Sequence, residues 1–393
     1  MRQAGAPRHE CMIVVLCALA NTFWDGFWIF LVRELVMKDS NMIRRWMVGM
    51  LPVFLTLLMC SESRAQVGTN PVDWGVEPLD ISRVGSAGWQ FLKLPTDARS
   101  AAMGGIKSSV SYGNANSAFN NPASASDVRG MDVQFSSMRW IADIRYNSLS
   151  FVENLGSYGT VGVHAIYLNY GDMIRTAVAQ GYDALGNDIG IVPITEGLGT
   201  FTAHDLAAGV VYSRQITEFL QVGGTVRYLE QQIDDARMGS WALDIGTMYK
   251  TGIGSLRISM LGKNFGADGQ YLSYEGRLAQ APAKVKMPML FIFGVAYDVF
   301  EMSKESEHRL TAAAEYVKPN DGPDKFNLGL EYFALSNIYV RGGYRFNYNE
   351  ESFTLGFGLE YSVSDDMQLK ADYAYAKVGR FSSVSMFTLG FGF

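Results

Sequence analysis

Residues 353–363 read FTLGFGLEYSV. The odd positions are Phe353, Leu355, Phe357, Leu359, Tyr361 and Val363, and the even ones are Thr354, Gly356, Gly358, Glu360 and Ser362. Apolar residues on one side and polar residues or glycine on the other give a period of two. That is the pattern of a strand with one face against an apolar medium. Residues 338–348 repeat it, with Ile338, Val340, Gly342, Tyr344, Phe346 and Tyr348 opposed to Tyr339, Arg341, Gly343, Arg345 and Asn347.

Outward from this stretch, the alternation runs from Met131 to the C-terminus in segments bounded by Gly, Asn, Asp, Pro and Ser. Strands are expected at 131–140, 144–153, 158–170, 201–214, 218–231, 239–250, 254–264, 287–300, 308–318, 325–334, 337–348, 351–364, 366–377 and 381–393. These fourteen are each long enough to cross a bilayer. The fold class is therefore all-β: a fourteen-stranded antiparallel transmembrane β-barrel with an N-terminal plug or hatch segment.

A soluble sandwich would bury the apolar face against a second sheet, whereas a membrane barrel turns it to lipid and keeps polar residues inside. Several features favour the barrel. The faces assigned to the lumen carry Arg227, Asp244, Arg257, Glu331, Arg341, Arg345, Glu360, Lys370 and Asp372. The chain ends FTLGFGF, with Phe387, Leu389, Phe391 and the terminal Phe393 on one face. A terminal aromatic on an amphipathic strand resembles the insertion signal of bacterial outer-membrane barrels. The two longest links, 171–200 and 265–286, follow strands 3 and 7 and so lie at one end, the external end if the N-terminus is periplasmic. The other end has short turns, as in barrels of this class.

Composition agrees. The 393 residues are 48 % hydrophobic and only 18 % charged, with 41 Gly, 20 Tyr and a net charge of −6. This excludes a disordered chain. Seven of the 33 basic and five of the 39 acidic residues precede residue 66, so the remainder is more acidic still. No basic surface is left to follow a phosphate backbone, and nucleic acid is not an expected partner. The three cysteines (Cys11, Cys17, Cys60) also precede residue 66, so the exported part has no disulfide or thiolate chemistry.

The N-terminus reads as an address. Residues 42–65 hold a basic pair (Arg44, Arg45), an apolar run from Trp46 to Met59, and Ser63-Arg64-Ala65, with small residues at −3 and −1. This predicts a secretory signal peptide cleaved before Gln66. Residues 1–41 precede a complete signal and are read as a dispensable leader or over-extended start; a membrane anchor at Cys11–Val32 is the alternative. The expected organisation is leader 1–41, signal 42–65, plug segment 66–130 and barrel 131–393.

The plug segment contains DARSAAMGG (97–105) and AFNNPAS (118–124). Asp97 can cap a short helix carrying Arg99 that Gly104 and Gly105 terminate. Asn121-Pro122-Ala123 is expected as a rigid turn at the plug-to-barrel junction.

LPTDARSAAMGG (94–105), then AFNNPA (118–123), then the fourteen-strand pattern together resemble the PorV/PorQ family. That family is itself similar to the FadL fatty-acid transporters, whose barrels also have fourteen strands and an N-terminal hatch. The resemblance covers about 66–393, and Asn120 and Gly105 depart from the PorV pattern, pointing to the wider family. It implies a bacterial outer-membrane component of, or shuttle for, the type IX secretion system. Its implied partners are outer-membrane lipid, a large translocon or attachment-complex protein, and secreted cargo with C-terminal sorting domains. A FadL-like passive transporter of small hydrophobic molecules is the alternative.

An enzyme needs a site, and no GxSxG, HExxH or calcium-loop motif occurs in the exported chain. No catalytic, cofactor or metal residues are expected. His164 points inward and reads as a hydrogen-bonded lumen histidine, and none of His164, His204 and His308 is expected on the lipid face. The lumen charges read best as a paired network tying wall to plug. Leu290 and Ile292 break the alternation by facing inward; packing against an apolar plug helix is expected, and an apolar passage is the alternative. Gln180-Gly181-Tyr182 and Gln270-Tyr271-Leu272 in the long links offer groups suited to protein contact.

Overall fold

The computed structural model describes residues 85–393 apart from 111–112, 183–184, 195–196, 274–283, 302–307, 335–336, 365–366 and 381–382. The expected leader, signal peptide, cleavage site and first part of the plug lie outside the described residues.

Among the described residues, fourteen strands close into one antiparallel barrel. They are β1 (Met131–Arg139), β2 (Arg145–Asn154), β3 (Thr160–Ile174), β4 (Thr200–Gln215), β5 (Leu220–Ile233), β6 (Ala236–Lys250) and β7 (Arg257–Gly266). The second half is β8 (Leu290–Glu301), β9 (Arg309–Pro319), β10 (Lys325–Ala334), β11 (Ile338–Phe346), β12 (Glu351–Ser364), β13 (Met367–Val378) and β14 (Val384–Gly392). Each strand pairs with its sequence neighbours, and β1 closes on β14 in a register running from Asp132 opposite Gly392 to Arg139 opposite Ser385. Closure leaves no free sheet edge, which is what a strand-built membrane protein requires.

The period of two sets the two faces. Phe353, Leu355, Phe357, Leu359, Tyr361 and Val363 are all exposed, whereas Thr354 between them is buried. Phe387, Phe391 and Phe393 point outward in the same way, with Thr388 inward. The outer surface is thus an apolar and aromatic band over a polar interior, the surface of an outer-membrane barrel.

The long links follow β3 and β7, at one end of the barrel. The first is not irregular throughout. Ala177–Tyr182 pairs with Asp188–Ile194 as a hairpin in a sheet of its own, hydrogen-bonded to no barrel strand. Ile189 and Ile191 alternate there with Gly190 and Val192, a strand pattern, but the hairpin's pairing is satisfied internally.

The lumen is filled by residues 85–130. A short helix α1 (Ala98–Ala102) packs on β12, β13 and β14. Plug residues Trp89, Phe91, Leu92, Ala101 and Phe119 form one core with wall residues Met138, Tyr146, Ile166, Leu229 and Met386. Met103, Ile106 and Val110 pack separately against Ala296 and Ala313 of β8 and β9.

Candidate functional site

Asp97 caps α1: its carboxylate accepts Ser100 N at 2.8 Å and Ser100 Oγ at 2.7 Å, and Asn120 Nδ2 donates to it at 2.7 Å. These bonds tie the two plug motifs together. Gly104 and Gly105 follow with φ of +72° and +81°, backbone that residues with a Cβ rarely adopt. Here the plug backbone reaches the wall. Gly104 N donates to Thr354 Oγ1 at 2.9 Å, and Thr354 Oγ1 donates to Ala102 O at 2.8 Å. Gly343 lies directly beneath, where a Cβ would overlap Gly104 N.

Asn121-Pro122-Ala123 is not at the junction with β1. Asn121 caps a 3₁₀ turn, Pro122–Asp127, by accepting Ala123 N at 3.1 Å. Its Nδ2 donates to Ser108 O and to Thr247 O of β6. Pro122 lies where a Cβ on Gly223 would sit, so the glycine admits it to the wall. The motif is a wall anchor, and the chain passes into β1 through residues 128–130.

The lumen charges are paired. Glu331 takes Arg99 through two 2.8 Å bonds and Arg341 at 2.6 Å, and Arg341 also holds Asp372 at 2.5 Å. Arg257 pairs with Asp298 at 3.0 Å, Lys370 approaches Glu360 at 3.7 Å, Arg227 pairs with Asp244, and Arg345 pairs with Glu351. Only Arg99–Glu331 in this set joins plug to wall; the others join strand to strand. Further ties between plug and barrel come from residues not anticipated. Lys93 Nζ meets Asp321, in the link after β9, at 2.5 Å, and Lys250 meets Asp127 at 2.6 Å. Burial alone would raise the Asp321 carboxyl, but the Lys93 and Gln90 donors override it and hold it below its ordinary value. Glu315 Oε2 accepts Lys107 N, Ser108 N and Ser108 Oγ at 2.8–2.9 Å. Glu315 and Asn327 stand in phase with the inward faces of β9 and β10, so the alternation alone could have found them.

Other expectations are corrected. His164 is buried, but among the described residues its ring nitrogens have no hydrogen-bond partner; the ring meets Phe119 edge-on at 4.9 Å instead. His308, just before β9 begins, stacks on the outward-facing Tyr332 and hydrogen-bonds its hydroxyl at 3.0 Å. The Tyr271 hydroxyl donates to Gln231 at 2.7 Å, and its half-buried ring packs on the interior core. The Gln180 amide is held by Asp188 across the hairpin, whereas Tyr182 is exposed. Leu290 and Ile292 cluster with Leu261 and Val317 of the wall, not with the plug helix, which lies against β12–β14.

Two of the cavities inside the barrel bear on the site. The one at the long-link end measures about 470 Å³, with walls of Phe91, Leu94, Trp140, Leu168, Leu290 and Ile292 and a polar floor of Glu315, Asn327 and Arg345. The other, at the end holding the C-terminus, measures about 790 Å³ and is bordered mainly by polar groups, among them Asp132, Gln134, Arg341, Glu360 and Lys370. The plug turn borders both, with Gly105 on the first and Arg99 on the second. Among the described residues no group of three or more His, Cys, Asp or Glu could hold a metal ion.

No protein-family model and no curated protein matches the chain. Among solved structures it is similar to the toluene transporter TodX of Pseudomonas putida, at 14 % identity over 75 % of this chain and 96 % of that one, with a TM-score of 0.47. A CymD monoaromatic hydrocarbon channel matches at 14 % identity over 76 % of this chain and 97 % of the other, with a TM-score of 0.48. A Pseudomonas aeruginosa FadL homologue matches at 10 % over 75 % and 97 %, with a TM-score of 0.47. On its own geometry, this chain is a fourteen-stranded outer-membrane β-barrel filled by its own N-terminal segment.

Proposed function

We propose that the protein is a passive outer-membrane route for small hydrophobic molecules. The observation that carries this reading is the cavity at the long-link end. In a lumen lined mostly by paired charges, it alone of the two cavities is walled by apolar side chains. Its volume falls in the range of small-molecule sites. A molecule held there is separated from the second cavity by the plug turn 97–105, so passage needs that turn to shift. The test is uptake of a small hydrocarbon by cells carrying the protein. Ile292→Trp, which fills the cavity, should lower uptake several-fold while heat-modifiable barrel persists in the membrane. Unchanged uptake by the folded variant counts against the proposal.

A second reading, a component of a protein secretion system, is favoured by the hairpin 177–194. It lies outside the barrel sheet with Val178, Tyr182, Ile189 and Ile191 exposed, a surface suited to protein contact. The motif block at 94–105 and 118–123, with its resemblance to the PorV/PorQ family, supports the same reading.

A further inference from the structure

Arg139, the last residue of β1, and Arg145, the first of β2, stand directly opposite each other. Direct cross-strand partners hold their Cβ atoms about 5 Å apart, and like charges so placed repel. Both side chains are exposed on the outward face of the wall, in phase with Phe135 and Leu149. Among the described residues neither guanidinium makes an ion pair; the exposed acids Asp143, in the turn between them, and Asp172, farther along β3, make none with either. Their neighbours in the same row are Ser385 on one side and Asn169 on the other. Down the two strands, Arg139 opposite Arg145 gives way to Ser137 opposite Asn147 and then to Phe135 opposite Leu149. The outward face thus changes from cationic through polar to apolar over four residues, about 13 Å of strand. The β1–β2 turn lies at the end of the barrel that carries the long links, the external end in barrels of this class. A surface depression of about 480 Å³ joins the two arginines to Ser137, Ser385, Tyr373 and Phe387.

We propose that Arg139 and Arg145 seat the phosphate group of a phosphorylated lipid of the outer leaflet, with its acyl chains lying over Phe135, Leu149 and Phe387. This seat is on the outer wall and is independent of what the lumen carries. An anion between the two guanidinium groups offsets their repulsion, and the planar fork of each matches two phosphate oxygens. The Ser137 and Ser385 hydroxyls border the same depression and can donate to a third. A lipid is favoured over a soluble phosphate by the rest of the border. Tyr373 and Phe387 are exposed beside the arginines, and the apolar rung of Phe135 and Leu149 lies below them. Those side chains have a use for acyl chains and none for a free ion.

The experiment uses the outer-membrane form of the protein, extracted in a neutral detergent without divalent cations, which excludes bridging through Asp143 or Asp172. It is titrated with diphosphoryl lipid A, with dephosphorylated lipid A and with inorganic phosphate, and bound ligand is counted by native mass spectrometry. Diphosphoryl lipid A is expected to bind about tenfold more tightly than the dephosphorylated form, and inorganic phosphate should not displace it at matched concentration. Arg139→Gln and Arg145→Gln should each reduce the preference, and the double variant should abolish it. Arg237→Gln is the control. Arg237 is exposed on the outward face of β6 at the same end, with its Nε donated to Gln232 and no arginine opposite, and its loss should leave the preference intact. Equal binding of the two lipid forms overturns the proposal. So does an equal loss in Arg237→Gln, which would mean a general attraction of the rim for anions. Displacement of lipid A by inorganic phosphate at matched concentration overturns the lipid assignment. The wild-type comparison of the two lipid forms decides the matter even if a variant does not fold.

Discussion

Arg99 of the plug and Glu331 of β10 meet as a two-pronged fork, Nε to Oε2 and Nη2 to Oε1, each at 2.8 Å. Glu331 is buried, and Arg341 reaches its Oε2 from β11 at 2.6 Å. One wall carboxylate thus balances one plug cation and one wall cation.

This geometry ranks two substitutions. Glu331→Gln removes the carboxylate that Arg99 and Arg341 share, leaving Arg341 with Asp372, and should cost about 3 kcal/mol. Arg99→Ala should cost less, because Arg341 still neutralises Glu331, yet it frees the plug turn. Heat-modifiability midpoints on gels should fall in the order wild type, Arg99→Ala, Glu331→Gln. Equal midpoints for all three would show that the fork holds nothing.

The second prediction concerns pH. Burial, reinforced by the nearby Lys263 and Arg345 cations, lowers the Lys107 ammonium from 10.5 to about 7, while Glu315 and Asp97 pull the other way. When the plug leaves the lumen, Lys107 returns to its ordinary value. Between pH 7 and 10.5 the unseated form therefore binds the extra proton, and stability rises with pH across that window. Urea midpoints of the wild type should gain on those of Lys107→Met from pH 7 to 10. A constant difference between the two refutes the assignment.

The third concerns assembly. Phe393 N donates to Met131 O at 2.8 Å and Met131 N to Phe393 O at 3.0 Å, so the last residue completes the barrel seam while its ring faces outward. Phe393→Asp keeps the backbone bonds but puts a charge at the apolar surface, at a cost of roughly 0–4 kcal/mol depending on depth. Less folded barrel should reach the outer membrane, as read by the heat-shifted fraction. Wild-type levels would dissociate the terminal ring from insertion.

The fourth separates the two functional readings. The hairpin Ala177–Tyr182 with Asp188–Ile194 forms its own sheet, so replacing 177–194 with a short glycine linker should leave the barrel folded. If the hairpin docks a secretion partner, export of cargo with a C-terminal sorting domain falls and hydrocarbon uptake does not. Uptake lost with export intact would assign the hairpin to the passage instead.

The sequence by itself determined the strands, their number and which side of each faces lipid. Those follow from alternation, and alternation is local: Phe353 and Leu355 face outward whatever lies beside them. It likewise determined the Asp97 cap and the Gly104–Gly105 stop, since a cap acts within three or four residues. It stated that Arg341, Arg345 and Glu331 point inward, but not what they meet. The fork between Arg99 and Glu331 joins residues 232 positions apart, and the placing of Glu315 opposite Asn327 and of Asn327 opposite Arg345 depends on two hairpin registers. It also misplaced Leu290 and Ile292 against the plug helix, because periodicity gives the face of a strand and not the element across the lumen. Only closure of the barrel fixes the wall against which the plug lies, and so only the tertiary structure decided which polar groups are paired.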